Sequence, residues 1–306
     1  MATIQVQSVS HWYGEVIGLS NASFDVEPGV TGLLGPNGAG KSTLMRILTG
    51  QMRQSRGGVR ILGESVWGNP DLFRRIGYCP ELDSMYTELT GRQFLRLMLR
   101  LCGVRGMEAD RKASDVLARV GLDPDLRKPI GAYSKGMRQR AKLAQALMLE
   151  AEVLLLDEPL NGMDPVGRKD TVDLIASLGQ QGHTVLISSH ILHEVEQMTA
   201  KIVLLHHGRV LAQGNVHEIR DHIEDQARSV LLRCVEPQRL AAQLLQSGEV
   251  TGVRFTRDPN ALVVETASAD AFFQRVTALG FSDGIEITEV QPLDDDLQSV
   301  FQYLVG

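Results

Sequence analysis

With 306 residues, of which 43% are hydrophobic and 22% charged, the chain is long enough for one large domain and a smaller one, and its composition is that of an ordinary globular protein rather than a disordered one. A net charge of −6 argues against a protein that holds nucleic acid or anionic lipid through its overall electrostatic field.

The cysteines and the apolar runs indicate the compartment. Cys79, Cys102 and Cys234 are odd in number and share no CxxC pattern, which argues against a disulfide framework or a metal knuckle and fits a reducing cytosol. The N-terminal residues lack the basic and apolar regions of a secretory signal. Because the longest apolar runs fall far short of the roughly 18–20 residues of a spanning helix, we expect any membrane role to go through a partner.

The first fifty residues predict two antiparallel strands and then a strand–loop–helix unit. Apolar and polar residues alternate over 4–9 and 22–26, and the second segment runs into a Glu-Pro-Gly turn. A continuous apolar strand at 30–34 is followed by a glycine-rich loop and by a helix from Ser42 to about Thr49.

Helical periodicity dominates the middle of the chain, and continuous apolar strands follow it. The periodic segments at 90–101, 113–120 and 137–149 predict a helical insert at about 85–150. Apolar strands at 153–156, 184–187 and 202–205 are then separated by helices at 165–178 and 192–198. Continuous apolarity is typical of strands covered on both faces, so we predict an α/β domain over residues 1–220.

The pattern changes beyond about residue 220, where the charged stretch at 222–226 indicates a boundary. Residues 221–306 predict, in order, a strand at 229–234, a helix at 237–246, strands at 250–255 and 262–265, a helix at 269–279, a strand at 284–290 and a helix from Asp295. This is the split βαβ order of a small, ferredoxin-like α+β domain.

Residues 35–43, with the sequence GPNGAGKST, match the phosphate-binding P-loop between a predicted strand and a predicted helix. Glycines let successive amide N–H groups face one anion, and the following helix adds the positive end of its dipole. We expect Lys41 to reach the β- and γ-phosphates and Ser42 to coordinate Mg²⁺. The pattern alone does not separate kinases, GTPases and transport ATPases. The candidate nucleotide-binding residues of the loop are Gly35, Asn37, Gly38, Ala39, Gly40, Lys41, Ser42 and Thr43.

Two carboxylates end the strand predicted at 153–156. Because side chains alternate along a strand, Asp157 and Glu158 are expected to point in different directions and to serve different roles. Adjacent acids at a strand end are by themselves commonly surface charge. As functional residues, Asp157 would hold Mg²⁺ through its water shell and Glu158 would polarise the attacking water as general base.

The chain resembles the ABC transporter ATPases, whose elements occur in the expected order over residues 1–220. The sequence YSKGMRQR at 133–140 is similar to the LSGGQ signature: Ser134 and Gly136 match, whereas Lys135 and Met137 replace a glycine and a glutamine. The resemblance implies that this motif caps the γ-phosphate of ATP held by the opposite subunit, which makes dimerisation part of the chemistry. Without the resemblance, a serine at this place is simply a helix N-cap.

Three further motifs carry the resemblance. Asp164, in NGMDP at 161–165, is implied to belong to the D-loop that runs between the subunits. His190, which ends the strand after the carboxylate strand, is implied to bind the γ-phosphate and to hold the water against Glu158. Tyr13 resembles the aromatic residue that stacks on adenine, and Trp12 is the competing candidate, since either ring could belong to the core.

One residue departs from the family pattern. The sequence IGYCPE at 76–81 matches the Q-loop segment, which normally ends in glutamine, but here Glu81 takes that place. A carboxylate can still meet Mg²⁺, although it adds negative charge near the γ-phosphate and cannot donate hydrogen bonds as an amide does. We therefore expect Ser42, Glu81 and Asp157 as magnesium ligands, with an altered metal dependence.

The resemblance implies a P-loop ABC cassette, in which a mixed sheet is joined by an antiparallel β subdomain and a helical subdomain, followed by an accessory domain of the kind found on exporters. It further implies a homodimer or paired cassette around two MgATP, separately encoded integral membrane permease subunits, and a place on the cytoplasmic face of the cell membrane, without nucleic acid. In the family, short helices of the membrane subunits dock in a groove that here would involve residues 81–90 and 94–98, although such an apolar helix stripe is more often core.

Two other functions remain to be weighed. A soluble ABC ATPase of translation or DNA repair is the alternative, but such proteins usually carry two cassettes in one chain or a long coiled coil, and neither is visible here. A non-hydrolysing scaffold is disfavoured, because Lys41, Asp157 and Glu158 are all present.

Overall fold

The computed structural model describes residues 2–221, 228–248, 250–266, 268–282 and 285–293. The chain forms two compact units, Met1–Asn215 and Val216–Gly306, whereas the sequence suggested a boundary at 220/221. Among the described residues, no helix combines the length and the apolarity needed to cross a membrane.

An antiparallel sheet opens the first unit. Its strands are β1 (Ile4–Tyr13), β2 (Val16–Val26), β4 (Arg56–Ile61) and β5 (Glu64–Ser65), in the order β2-β1-β4-β5. The alternation that predicted β1 and β2 is confirmed, since Ile4, Val6 and Phe24 are buried on one face. The sequence did not predict β4 and β5, because β4 begins with arginine and two glycines and only Val59 and Ile61 are buried in it.

A six-stranded sheet forms the centre of the unit. Its strands are β3 (Gly29–Leu34), β6 (Ile76–Cys79), β7 (Val153–Asp157), β8 (Thr184–Ser189), β9 (Lys201–His206) and β10 (Arg209–Asn215), in the order β10-β9-β3-β8-β7-β6. Apart from the antiparallel β10, neighbouring strands are parallel. All residues of β7 are buried, which confirms a sheet covered on both faces. The short β6 and the half-exposed β10 were not predicted as strands.

Six helices complete the first unit: α1 (Lys41–Leu48), α2 (Gly91–Leu101), α3 (Gly106–Arg119), α4 (Lys135–Leu147), α5 (Pro165–Gln180) and α6 (Leu192–Glu196). Helices α2, α3 and α4 pack around a shared core, in which Phe94 and Leu95 are buried. The apolar stripe of α2 is therefore mainly core. Helix α3 begins earlier than predicted. Its first two turns are polar and carry no apolar periodicity, so the sequence pattern did not reveal them.

The second unit contains α7 (Val216–Asp221), β11 (Arg228–Cys234), α8 (Pro237–Gln246), β12 (Val250–Phe255), β13 (Ala261–Thr266), α9 (Ala269–Ser282) and β14 (Ile287–Pro292). Its strands are antiparallel and follow the order β12-β13-β11-β14, with a core that includes Leu232, Leu240 and Phe272. The strand predicted at 284–290 begins later, because Ile285 packs into the core before strand pairing starts. The helix predicted from Asp295 lies outside the described residues.

Candidate nucleotide-binding site

The carboxyl ends of β3, β7 and β8 meet at one edge of the central sheet, because Leu34 pairs with Ser189 and Asp157 with Ser188. A cleft of about 460 Å³ lies at this edge. Such an edge is where open α/β sheets bind their ligands. Its lining includes most of the predicted P-loop together with Tyr13, Glu81 and Glu158.

The glycines of the P-loop are required by close approach and by backbone conformation. A Cβ at Gly35 would lie 2.2 Å from the Leu205 carbonyl oxygen. Gly40 has φ +108°, and a Cβ there would lie 2.7 Å from the Gly18 carbonyl oxygen. Gly35 and the buried Ala39 do not line the cleft and pack on the other side of the loop. The residues that line the cleft are Asn37, Gly38, Gly40, Ser42 and Thr43.

Lys41 is a buried cation at the base of the cleft. Its side chain is 7% exposed, and Nζ donates hydrogen bonds to the carbonyl oxygens of Gly35 at 2.6 Å and Pro36 at 3.3 Å. The same nitrogen lies 3.8 Å from Glu158 Oε1. Because a buried charge needs polar partners, these contacts hold the ammonium at the place where an anion would enter.

Asp157 and Glu158 occupy different environments, as expected, but alternation along a strand is not the reason. Asp157 ends β7 and accepts a hydrogen bond from Ser188 Oγ at 2.5 Å. Glu158 lies just beyond the strand in the left-handed region, with φ +49°, and its amide donates to Ser188 Oγ at 3.0 Å. A non-glycine residue held in this conformation is a feature that clusters at functional sites.

The Glu158 carboxylate is paired with His190. Glu158 Oε2 lies 2.8 Å from His190 Nδ1, and the Glu158 carbonyl accepts a hydrogen bond from Gln139 Nε2 at 3.1 Å. Burial raises the pKa of Glu158, against the opposing effect of the hydrogen bond from His190. A carboxylate with a raised pKa and an orienting partner has the properties of a general base.

The candidate metal ligands line a second cavity, of about 310 Å³. Ser42, Glu81 and Asp157 all contribute to it. Burial raises the pKa of Asp157, and the negative charge of Glu81 raises it further. Two mutually repelling carboxylates and a hydroxyl are hard oxygen donors that suit a divalent cation such as Mg²⁺. Within the described ranges, no cluster of three or more histidine, cysteine, aspartate or glutamate side chains could hold a metal ion by itself.

Tyr13, rather than Trp12, lines the cleft. The Tyr13 hydroxyl lies 3.2 Å from Thr43 Oγ1, and a Cβ at Gly18 would lie 2.9 Å from the Tyr13 ring. Trp12 instead packs beneath Arg56, whose guanidinium carbon is 5.4 Å from the indole centroid. Val16 and Ile17 are exposed and line the cleft beside Tyr13, which provides an apolar surface for a base.

The signature residues and Asp164 lie together elsewhere. Ser134 Oγ caps α4 by accepting a hydrogen bond from the Met137 amide at 3.2 Å, and Asp164 caps α5 through the Gly167 amide at 2.9 Å. Lys135 Nζ donates to Asn161 Oδ1 at 3.2 Å. Among the described residues, Ser134, Gly136 and Asp164 do not line the P-loop cleft. One chain therefore brings the signature and the D-loop segment together but does not bring them to its own P-loop.

Sequence reasoning gave no role to three polar residues that support this site. Ser188 holds both Asp157 and Glu158, Gln139 holds the Glu158 carbonyl, and Lys142 donates to the Glu81 carbonyl at 2.7 Å. Each contact joins distant parts of the chain, so the local sequence carried no signal that could have found it.

The chain is similar to known proteins over nearly its whole length. The sequence profile of the family described as ABC transporter matches residues 19–161. A bacitracin transport ATP-binding protein of Bacillus licheniformis is 31% identical over 99% of this chain and 97% of its own length. A daunorubicin resistance ATP-binding protein of Streptomyces coeruleorubidus is 34% identical over 99% and 96%, respectively. A solved ATP-binding subunit of an ABC transporter is 32% identical, with a TM-score of 0.66 over 72% of this chain and 92% of that one.

Proposed function

Since this chain belongs to the ABC transporter family of ATP-binding subunits, we propose that two copies of it close around two MgATP and drive export through separately encoded membrane subunits. The chain is an ATP-binding and ATP-hydrolysing subunit of an ABC transporter. Cassettes of this family dimerise and work with membrane subunits in general. Pairing with an identical copy, location at the cytoplasmic face of the membrane, and export are parts of the proposal.

The direction of transport rests on the relatives. Two of the proteins that match this chain over 99% of its length are named for bacitracin transport and for daunorubicin resistance. Resistance to a compound is consistent with its removal from the cell, so we assign this chain to an exporter. The alternative of a soluble ABC ATPase in translation or DNA repair is not supported by these relatives.

The separation of the signature from the P-loop cleft carries the proposal of a dimer. The amino end of α4, capped by its own Ser134, is the positive end of the helix dipole, and among the described residues it does not line the chain's own cleft. Such a helix end favours an anion, and the γ-phosphate of ATP held by a second copy supplies one. A head-to-tail dimer therefore completes two sites at once.

The P-loop binds the triphosphate of ATP. Gly38, Gly40 and the amino end of α1 line the cleft, where backbone amides and the helix dipole favour an anion, and Lys41 exchanges its carbonyl contacts for the β- and γ-phosphates. Ser42, Glu81 and Asp157 would hold Mg²⁺, which would supply neutralisation of the charge on the phosphate oxygens.

Glu158 and His190 carry out hydrolysis. Glu158 accepts a proton as the water oxygen bonds to the γ-phosphorus, while the bond from that phosphorus to the β–γ bridging oxygen breaks and ADP leaves. The proton then passes from Glu158 to the released phosphate. His190, 2.8 Å from Glu158 Oε2 and 43% exposed, orients the carboxylate and remains accessible to the γ-phosphate.

Substitution of Tyr13 by alanine tests the adenine site. We expect Tyr13→Ala to weaken ATP affinity by roughly 5- to 150-fold, because stacking of a base on an aromatic ring contributes about 1–3 kcal/mol. Trp12→Ala is the control, since Trp12 packs beneath Arg56 and not in the cleft. Fluorescence titration with an ATP analogue measures both affinities. Equal losses for the two variants would refute the role of Tyr13.

Substitution of Glu81 by glutamine tests the metal site. We expect Glu81→Gln to raise the half-saturating Mg²⁺ concentration for ATPase activity about fivefold. The substitution removes an attraction between carboxylate and cation, and two opposite charges 4 Å apart in water attract each other by about 1 kcal/mol. Glu88→Gln is a matched control, since Glu88 is exposed like Glu81 but does not line either cavity. Superimposable Mg²⁺ titrations of Glu81→Gln and the unaltered protein would exclude contact between Glu81 and the metal.

Isolation of the chain from its own membranes tests the partner. We expect affinity-tagged protein, extracted in detergent, to copurify with a multi-span membrane protein encoded beside it. If the tagged protein is purified from the detergent extract and from the soluble fraction, and neither preparation contains a membrane protein, a transport role is contradicted.

A further inference from the structure

The second unit carries a cavity that has no part in the hydrolytic steps. Its volume is about 370 Å³, and its apolar lining comes from Val276 on α9, from Ile285, and from Ile287 and Val290 on β14. Val290 is 40% exposed although it pairs with Leu232, which is fully buried in the core of the unit. The cavity is therefore an open apolar groove beside that core, and we call it the α9–β14 groove.

The α9–β14 groove lies at an unpaired edge of the sheet. β14 pairs with β11 on one side, and no described strand pairs with its other side. Proteins usually cover such edges and apolar grooves, because both associate readily with other chains. Among the described lining residues, Glu286 is the only ionisable one, so the groove suits an apolar occupant rather than a polar ligand. A covering segment with an apolar face meets both requirements.

Residues 294–306, which follow β14, have the sequence of such a segment. Their apolar side chains recur at the spacing of one side of a helix: Leu297, Val300, Phe301, Leu304 and Val305. Aspartates occupy positions 294–296, where negative charge favours the amino end of a helix dipole. The sequence therefore predicts an amphipathic helix directly after the strand that lines the groove.

The end of β14 brings this segment next to the groove. The amide of Leu293 donates to the Ser229 carbonyl oxygen at 2.9 Å, so the chain stays on the sheet up to that residue. β14 is about 20 Å long over its six residues, and a helix over 295–304 is about 15 Å long. A helix that turns back after Leu293 thus spans the groove. Its short link gives it an effective concentration in the millimolar range there, which favours the chain's own segment over that of a second copy.

We propose that residues 294–306 form an amphipathic helix that packs into the α9–β14 groove of their own chain and covers the free edge of the sheet. The apolar face of the helix buries Ile287 and Val290, whereas Tyr303, on its other side, faces the solvent. In this arrangement the small domain presents no open apolar groove to other chains. The inference depends neither on ATP binding nor on the proposed dimer.

Two matched pairs of substitutions in the whole chain test the docking. Phe301→Asp places a charge on the apolar face, whereas Tyr303→Asp makes a similar change two residues later, about 200° around the helix. Val290→Asp places a charge in the groove, whereas Gln291→Asp alters the opposite face of β14. Amide hydrogen exchange, measured by mass spectrometry without nucleotide, follows α9, residues 294–306 and α8 as a reference helix.

We expect Phe301→Asp to speed exchange in α9 about tenfold, and Val290→Asp to speed exchange in residues 294–306 by a similar factor, because each removes one side of the same contact. Tyr303→Asp and Gln291→Asp keep the exchange rates of the unaltered chain, and α8 is unchanged in all four variants. If α8 exchanges faster in Val290→Asp, the comparison of Phe301→Asp with Tyr303→Asp decides. Equal effects of those two variants on α9, or an acceleration in α8 as large as in α9 for Phe301→Asp, would overturn the proposal.

Dilution distinguishes the chain's own segment from that of a second copy. Protection within one chain does not depend on protein concentration, so we expect the same exchange in residues 294–306 over about a hundredfold range, with the 33.6 kDa mass of a single chain. Protection that is lost on dilution, or a doubled mass that Phe301→Asp abolishes, would assign the groove to a second copy and contradict the proposal.

Discussion

Replacing Glu158 by glutamine should lower ATP turnover by about 10² to 10⁴ while leaving ATP binding intact, because the amide keeps the shape of the side chain but cannot accept the proton of the attacking water. The structure gives two reasons for the large effect. Burial raises the pKa of Glu158, which adapts the carboxylate to proton transfer, and His190 fixes its orientation at 2.8 Å. Removal of a negative charge 3.8 Å from Lys41 Nζ does not weaken binding of the anionic triphosphate.

Single-turnover hydrolysis and equilibrium ATP binding measure the two parts of this prediction. Glu194→Gln is the matched control, because Glu194 is also a buried carboxylate with a raised pKa but is paired with Arg168 at 3.0 Å. We expect that variant to lose stability rather than turnover. A Glu158→Gln protein that hydrolyses ATP at its original rate would show that another group accepts the proton.

Substitution of Gly136 by aspartate should abolish turnover without destabilising the single chain. The backbone of Gly136 is not in the left-handed region, and a Cβ there would lie 3.7 Å from the Gly162 carbonyl oxygen and Met163 Cα and 4.0 Å from Asp164 Oδ2. The positive end of the α4 dipole favours an acidic residue there and offsets the repulsion from the Asp164 carboxylate. The new carboxylate would, however, face the γ-phosphate of the partner's ATP, where like charges cost several kcal/mol.

We therefore expect a loss of at least about a hundredfold in kcat, equivalent to about 2.7 kcal/mol, with an unfolding temperature close to that of the unaltered chain. Gly58→Asp is the control, because Gly58 also has open space around it and lies on β4, away from the signature. Thermal unfolding and ATPase assays on both variants are sufficient. If Gly136→Asp retained activity, the signature would not meet a phosphate.

The sequence predicted the parts of the fold that have a local cause. Continuous apolarity identified β3, β7, β8 and β9, because each is buried on both faces and requires little from its neighbours. Strands β4, β6 and β10 were missed because they are short, polar or half-exposed, and what makes them strands is pairing with β1, β7 and β9. Such pairing has no signature within the segment itself.

The candidate site divides in the same way. The P-loop is a local sequence pattern, and its glycines are required by the local backbone conformation. Gly40 and Lys41 were therefore identified as candidate phosphate-binding residues from the sequence alone. The sequence alone could not decide whether Tyr13 or Trp12 lines the cleft. Only the three-dimensional arrangement of β1 and β2 shows that the Tyr13 ring faces it. The roles of Ser188 and Lys142 became visible only through contacts that span 31 and 61 positions in the sequence.

Formation of the ATP-bound dimer can be measured directly by light scattering on the Glu158→Gln chain after size exclusion. Without nucleotide, or with Lys41 also replaced by alanine, we expect the 33.6 kDa mass of one chain. With ATP and Mg²⁺, the mass should double and two ATP should remain bound per dimer. A mass that stays that of a single chain while ATP is bound would contradict the closure of two copies around shared nucleotide.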